Sequence, residues 1–113
     1  MKSIVVYDKQ YYFFRYIKFN LKDFLVFKVN IINLLKYKKI KKANLILFVV
    51  YDRFDKIPFM FFYKINKNLV VCSDDKLLLS QYQKIDKLTC FDTSKPKAVF
   101  LEEVMKKIRK EYN

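Results

Sequence analysis

The sequence contains no glycine and no histidine, and only two prolines and two cysteines. Without glycine there is no phosphate-cradling P-loop and no dinucleotide fingerprint, since both need glycine for close approach of backbone to phosphate. Without histidine there is no imidazole general base, no imidazole metal ligand and no Ser-His-Asp triad. Cys72 and Cys90 are too few for a structural zinc site. These absences point away from an enzyme, and no cofactor or metal is expected. Both cysteines fall in apolar runs; if those runs pair, the sulfurs lie close, but a reduced buried pair is the plainer reading. The longest apolar stretch, Asn44 to Tyr51, has the length of a strand and not of a membrane span. Lys2 followed by a short apolar run does not read as a secretory signal, so a cytoplasmic protein is expected.

What is present is apolar, aromatic and basic. A chain of 113 residues is expected to form one domain over 1–113, and 53% hydrophobic content with 19% aromatics argues against disorder. The formal charge is +13. Phe, Tyr, Met, Ile, Asn and Lys make up more than half of the chain, the signature of an AT-rich genome, which enriches lysine without selection for anions. Only Arg15, Arg53 and Arg109 are arginines, although arginine is the usual reader of phosphates and bases. A charge this large still attracts polyanions. The densest basic run, Lys36, Lys38, Lys39, Lys41 and Lys42, is the candidate anion-binding segment. Cations at a helix C-terminus also have a structural explanation in the helix dipole.

Several apolar runs stop on a polar residue. Ile4-Val5-Val6-Tyr7 ends on Asp8, Leu69-Val70-Val71-Cys72 on Ser73, and Leu88-Thr89-Cys90-Phe91 leads to Ser94-Lys95-Pro96. Continuous apolar runs are the mark of parallel strands covered on both faces, and sites in such folds lie at the strands' carboxyl ends. The run 44–50 offers no such polar residue. Between the strands, apolar residues recur at helical spacing: Phe13, Tyr16, Ile17 and Leu21 within 10–22, and Ile31, Leu34 and Leu35 within 30–42. Leu78, Tyr82 and Ile85 follow Asp74, a candidate N-cap, and Leu101, Val104, Met105, Ile108 and Tyr112 mark the last helix. Phe24 to Val29 reads as a short strand. Residues 51–67 stay open between a shortened helix and an added strand, since Pro58 disfavours helix before it. Alternating β and α elements predict an α/β fold: a flavodoxin-like three-layer sandwich with a five-stranded parallel sheet, helices on both faces and the third helix shortened or replaced.

The order of these elements resembles the receiver domain of bacterial response regulators. Ile4-Val5-Val6-Tyr7-Asp8 resembles the family's first strand, Arg15 the basic residue of its first helix, and Ala43-Asn44-Leu45-Ile46-Leu47 the lead-in to the phosphoacceptor aspartate. Ser73 matches the Ser/Thr ending the fourth strand, Lys95-Pro96 the Lys-Pro after the fifth, and Leu101 to Ile108 the last helix. In that family paired acidic residues and the acceptor hold Mg²⁺, and the Ser/Thr and Lys bind the phosphoryl group. Here the second acidic position is Lys9, the acceptor position aligns with Val49, and Asp92 takes the place of the switch aromatic. The resemblance therefore implies a vestigial pocket of Asp8, Lys9, Val49, Ser73 and Lys95, with Asp8 and Lys95 as a leftover ion pair and Ser73 as a helix cap. Asp52 is a poor substitute acceptor, because three residues along a strand move a side chain about 10 Å and to the opposite face.

The expectation is a non-catalytic, phosphorylation-independent regulatory or protein-interaction module. The family's common partner face would here include Tyr82, Lys106 and Lys110, facing an acidic protein partner or a second copy of the chain. The alternative is a basic nucleic-acid-binding protein using its lysine-rich helix faces. Peripheral membrane attachment is disfavoured because the basic segments lack strong apolar faces.

Overall fold

The apolar runs become strands, and the helical spacings become helices. The computed structural model describes residues 2–29 and 37–112, the side chains of 110–112 excepted. In chain order the elements are β1 (Ser3–Tyr7), α1 (Tyr12–Asn20), β2 (Leu25–Lys28), α2 (Tyr37–Lys42) and β3 (Leu45–Val49). A single 3-10 turn (Arg53–Asp55) runs into α3 (Lys56–Ile65), followed by β4 (Leu69–Ser73), α4 (Lys76–Gln83), β5 (Thr89–Asp92) and α5 (Lys97–Tyr112). The five strands form one parallel sheet in the order β2-β1-β3-β4-β5. The architecture is the flavodoxin-like α/β sandwich.

Every residue of β3 and β4 is buried, which is why these segments read as unbroken apolar runs. Successive residues feed opposite layers. Ile46, Phe48 and Val50 join Ile40, Phe59, Phe62, Leu79 and Tyr82 in the layer under α2, α3 and α4. Leu45, Leu47 and Val49 join Ile17, Phe100, Val104 and Ile108 in the layer under α1 and α5. In the first layer Tyr7 stacks on Phe48, with ring centroids 4.5 Å apart and planes 6° from parallel. β2 lies at the edge of the sheet and is only half buried.

The segment left open, 51–67, holds a ten-residue helix behind a 3-10 turn and adds no strand to the sheet. Pro58 is the third residue of α3, within the first turn, where a backbone N–H has no intrahelical acceptor to lose. Phe59 and Phe62 then bury one face of the helix. The N-cap of α4 is Asp75 and not Asp74: the Asp75 carboxylate accepts from Leu77 N and Leu78 N at 2.9 and 3.1 Å. Helix α1 is shorter than its periodicity suggests, starting at Tyr12. Residues 30–36, with Lys36 and the apolar stripe Ile31, Leu34 and Leu35, lie outside the described residues, as does the side chain of Tyr112. The cysteines are on neighbouring strands, but Cys90 pairs with Val71 and Cys72 with Phe91. That one-residue offset sends them to opposite faces, and both thiols are free.

Among the described residues no helix is long and apolar enough to cross a membrane.

Candidate functional site

From β1 the chain crosses to β2 on one side, and β3 then starts the other half of the sheet. The loops leaving β1 and β3 therefore diverge, opening the crevice where such folds bind ligands. Asp8 and Lys9 enter it from β1, and Tyr51, Asp52 and Asp55 from β3.

Asp8 is 2% exposed. Its Oδ2 accepts from Phe13 N and Phe14 N at 2.7 and 3.2 Å, and its Oδ1 from Gln10 N at 3.1 Å. It thus caps α1 in place of Tyr11, whose side chain makes no cap and whose φ is 62°. The Tyr51 hydroxyl donates a short hydrogen bond to Asp8 Oδ1. Burial, reinforced by the bond to Asp8 and by the charges of Asp8, Asp74 and Asp55, pushes the Tyr51 phenol far above its ordinary range. It stays a donor at any physiological pH.

Beside this pair, Lys9 Nζ lies 2.6 Å from Asp52 Oδ2 and 3.3 Å from Asp55 Oδ1. Burial works against the ammonium, but its hydrogen bonds to both carboxylates and their charges outweigh it and raise the amine above its usual value. The same hydrogen bond from Lys9 holds Asp52 below the ordinary carboxylate value. Asp55, 2% exposed, also accepts from Tyr51 N and Asp52 N at 2.8 and 3.1 Å. Together with Asp52, which accepts from Phe54 N, it forms a reciprocal capping box.

Mg²⁺ of the kind the receiver resemblance implies does not fit these residues. A hard cation needs several carboxylate oxygens free to turn toward it. Asp8 is saturated by amides and a phenol, and an ammonium stands between Asp52 and Asp55. Among the described residues no group of three or more His, Cys, Asp or Glu is placed to hold a metal. Val49 is 1% exposed and packs in the layer under α1 and α5.

The other sequence-predicted residues scatter. Ser73 Oγ donates to Val50 O at 2.9 Å and accepts from Asp75 N at 3.1 Å, so it ties β3 to the β4 loop but does not cap α4. Lys95 pairs with Glu103 at 3.4 Å. The expected Asp8–Lys95 ion pair is not formed, because local amides and Tyr51 already fill the carboxylate of Asp8. Lys38, Lys39, Lys41 and Lys42 are exposed on α2, with Lys39 Nζ 4.3 Å from the Phe27 ring centre. Tyr82 does not reach the surface: it is 3% exposed, its ring 4.9 Å from that of Phe59. Its position one turn from Leu78 and Leu79 puts it on the core side of α4. Lys106 is exposed and sits 3.7 Å from Glu102. The Lys110 side chain is outside the described residues.

Tyr51 and Asp55 were not singled out by the sequence. The Asp52-x-x-Asp55 spacing is the signal that was available, since it is that of a capping box. Nothing local marks Tyr51 as the partner of Asp8.

No family model matches this chain, and no curated protein or solved structure is measurably similar to it.

Proposed function

We propose that this chain is a receiver-like protein-interaction module that works without phosphorylation and without catalysis. The observation that carries this reading is the filled switch-point crevice. Tyr51 and three backbone amides satisfy Asp8, and Lys9 bridges Asp52 and Asp55. A site of the receiver type would need an acceptor carboxylate where this chain has Val49 and a second acidic metal ligand where it has Lys9. What is left of such a domain is its scaffold and its surfaces.

One surface supports a protein partner. Phe54, Ile57 and Met60 recur at helical spacing along the 3-10 turn and α3, and they are 67%, 72% and 61% exposed. Large apolar side chains clustered on one side of a helix are more costly in water than singly scattered ones. This stripe is a different surface from the expected partner face, from which burial removes Tyr82.

Treatment with acetyl phosphate and Mg²⁺, followed by intact-mass measurement, is expected to leave the protein unmodified. A saturable, Mg²⁺-dependent, acid-labile adduct on any aspartate overturns the reading. A photo-crosslinking residue at position 57 is expected to give discrete protein adducts in cells, and one at position 38 on α2 to give none. Absence of adducts at 57 removes the α3 surface.

A further inference from the structure

Helix α1 carries two stripes where a core-packing helix needs one. Phe13, Phe14, Ile17 and Leu21 pack into the layer shared with α5. On the outer side Tyr12, Arg15 and Phe19 recur at i, i+3, i+7 spacing, with the half-buried Tyr16 at the border between the two stripes. Phe19 is 71% exposed and Tyr12 52%. Tyr11 precedes them in the left-handed region, an uncommon conformation for a bulky residue, and is 42% exposed.

These rings line a groove of about 580 Å³ that α1 shares with Lys97 at the start of α5. Its lining is aromatic, amide and cationic, with no carboxylate. Lys97 Nζ lies 4.3 Å from the centre of the Tyr12 ring and 5.5 Å from that of Tyr16. Lys28 Nζ lies 3.9 Å from that of Tyr11. Arg15 has no carboxylate partner among the described residues. Cations interleaved with exposed rings are what a polyanion carrying flat, apolar faces requires: rings take bases by stacking, and ammonium and guanidinium groups take phosphates.

We propose that the α1 groove binds single-stranded nucleic acid. In a duplex the base faces already stack on one another, so the rings favour the single strand. A basic run such as Lys38 to Lys42 has no such preference. The groove lies on the opposite side of the sheet from the α3 stripe, so a protein and a nucleic acid can be held at once.

The test is fluorescence anisotropy with labelled oligo-dT, a duplex of equal length and phosphatidylglycerol vesicles. Oligo-dT should bind more tightly than the duplex, with a log–log salt slope of roughly −2 if three phosphates are neutralised. Phe19→Ala and Tyr12→Ala should each weaken oligo-dT binding about tenfold and leave duplex binding unchanged. Both side chains are exposed, and wild-type thermal unfolding of each variant establishes that the fold is intact. A variant with Lys38, Lys39, Lys41 and Lys42 changed to Gln should lose overall affinity while keeping the preference for the single strand. Oligo-dT affinity unchanged in both ring variants, or equal affinity for duplex and single strand, overturns the proposal. So does loss of vesicle binding alone in those variants, which would make the groove a membrane contact.

Discussion

The Tyr51 hydroxyl donates to the Asp8 carboxylate across the point where the connections of the sheet change side. Two residues 43 positions apart thereby close the crevice from within. The bond joins the end of β1 to the loop after β3, and through Asp8 it reaches the first turn of α1.

Tyr51→Phe removes the donor and leaves the ring. The Asp8 oxygen it served keeps only Gln10 N, and a buried acceptor deprived of a partner costs about 1–3 kcal/mol. Urea unfolding should show a lower midpoint with an unchanged slope. A midpoint equal to wild type would mean that the bond adds nothing.

The Lys9–Asp52–Asp55 cluster makes stability depend on pH at both ends. The hydrogen bond from Lys9 lowers the Asp52 carboxyl below its ordinary value of 3.8, and Asp92 is lowered chiefly by the Ser94 hydroxyl. A carboxyl lowered on folding contributes stability above its unfolded value and loses it as pH falls through the folded one. Lys9, raised above 10.5, contributes below that value and loses it as pH rises through the folded one. Unfolding midpoints should therefore fall below about pH 4, and fall again from about pH 10 upward, where the buried phenols of Tyr51 and Tyr82 resist ionisation and Lys9 adds its own loss. Lys9→Met should shrink both arms without abolishing either, since Asp92 and the buried phenols remain; profiles that superimpose on wild type would exclude the cluster as a contributor.

Asn66 links two loops that the sequence keeps far apart. Its Nδ2 donates to Ile40 O and Ala43 O, each at 2.9 Å, and its Oδ1 accepts from Asn68 N at 2.9 Å. Asn66→Ala removes the side-chain donor of Ala43 O and leaves Ile40 O with Ala43 N at 3.3 Å, and should cost about 1–3 kcal/mol. Hydrogen exchange of the α2 amides should accelerate. Unchanged protection of α2 would show that the helix end is held by something else.

Tyr82 is a case where removing a polar atom should help. Its hydroxyl is buried with no hydrogen-bond partner among the described residues, and burial pushes the phenol up to about 12. Tyr82→Phe keeps the edge-to-face contact with Phe59 and should raise stability by about 1 kcal/mol. A destabilised variant would reveal a partner for the hydroxyl.

Much of the fold was legible because its signals are local. β1, β3 and β4 are buried on both sides, and that environment tolerates only apolar residues, hence the unbroken runs. Helix α5 declared itself through Val104 and Ile108, although the buried Phe100 at its start was overlooked. α3 was obscured by Pro58, since a proline reads as a breaker until the helix start is known, and only then is it harmless.

The candidate site divides in the same way. The sequence by itself determined that Asp8, Lys9 and Ser73 stand at strand ends, and that the run ending at Val49 and Val50 carries no polar residue there. Only the tertiary structure decided what those residues touch. The parallel register that sets Tyr7 against Phe48 brings Asp8 beside Tyr51, and Lys9 beside Asp52 and Asp55. Hydrogen bonds and ion pairs act over a few ångströms of space and not along the chain, so their partners are chosen by strand pairing and by which lone pairs the local backbone has already taken.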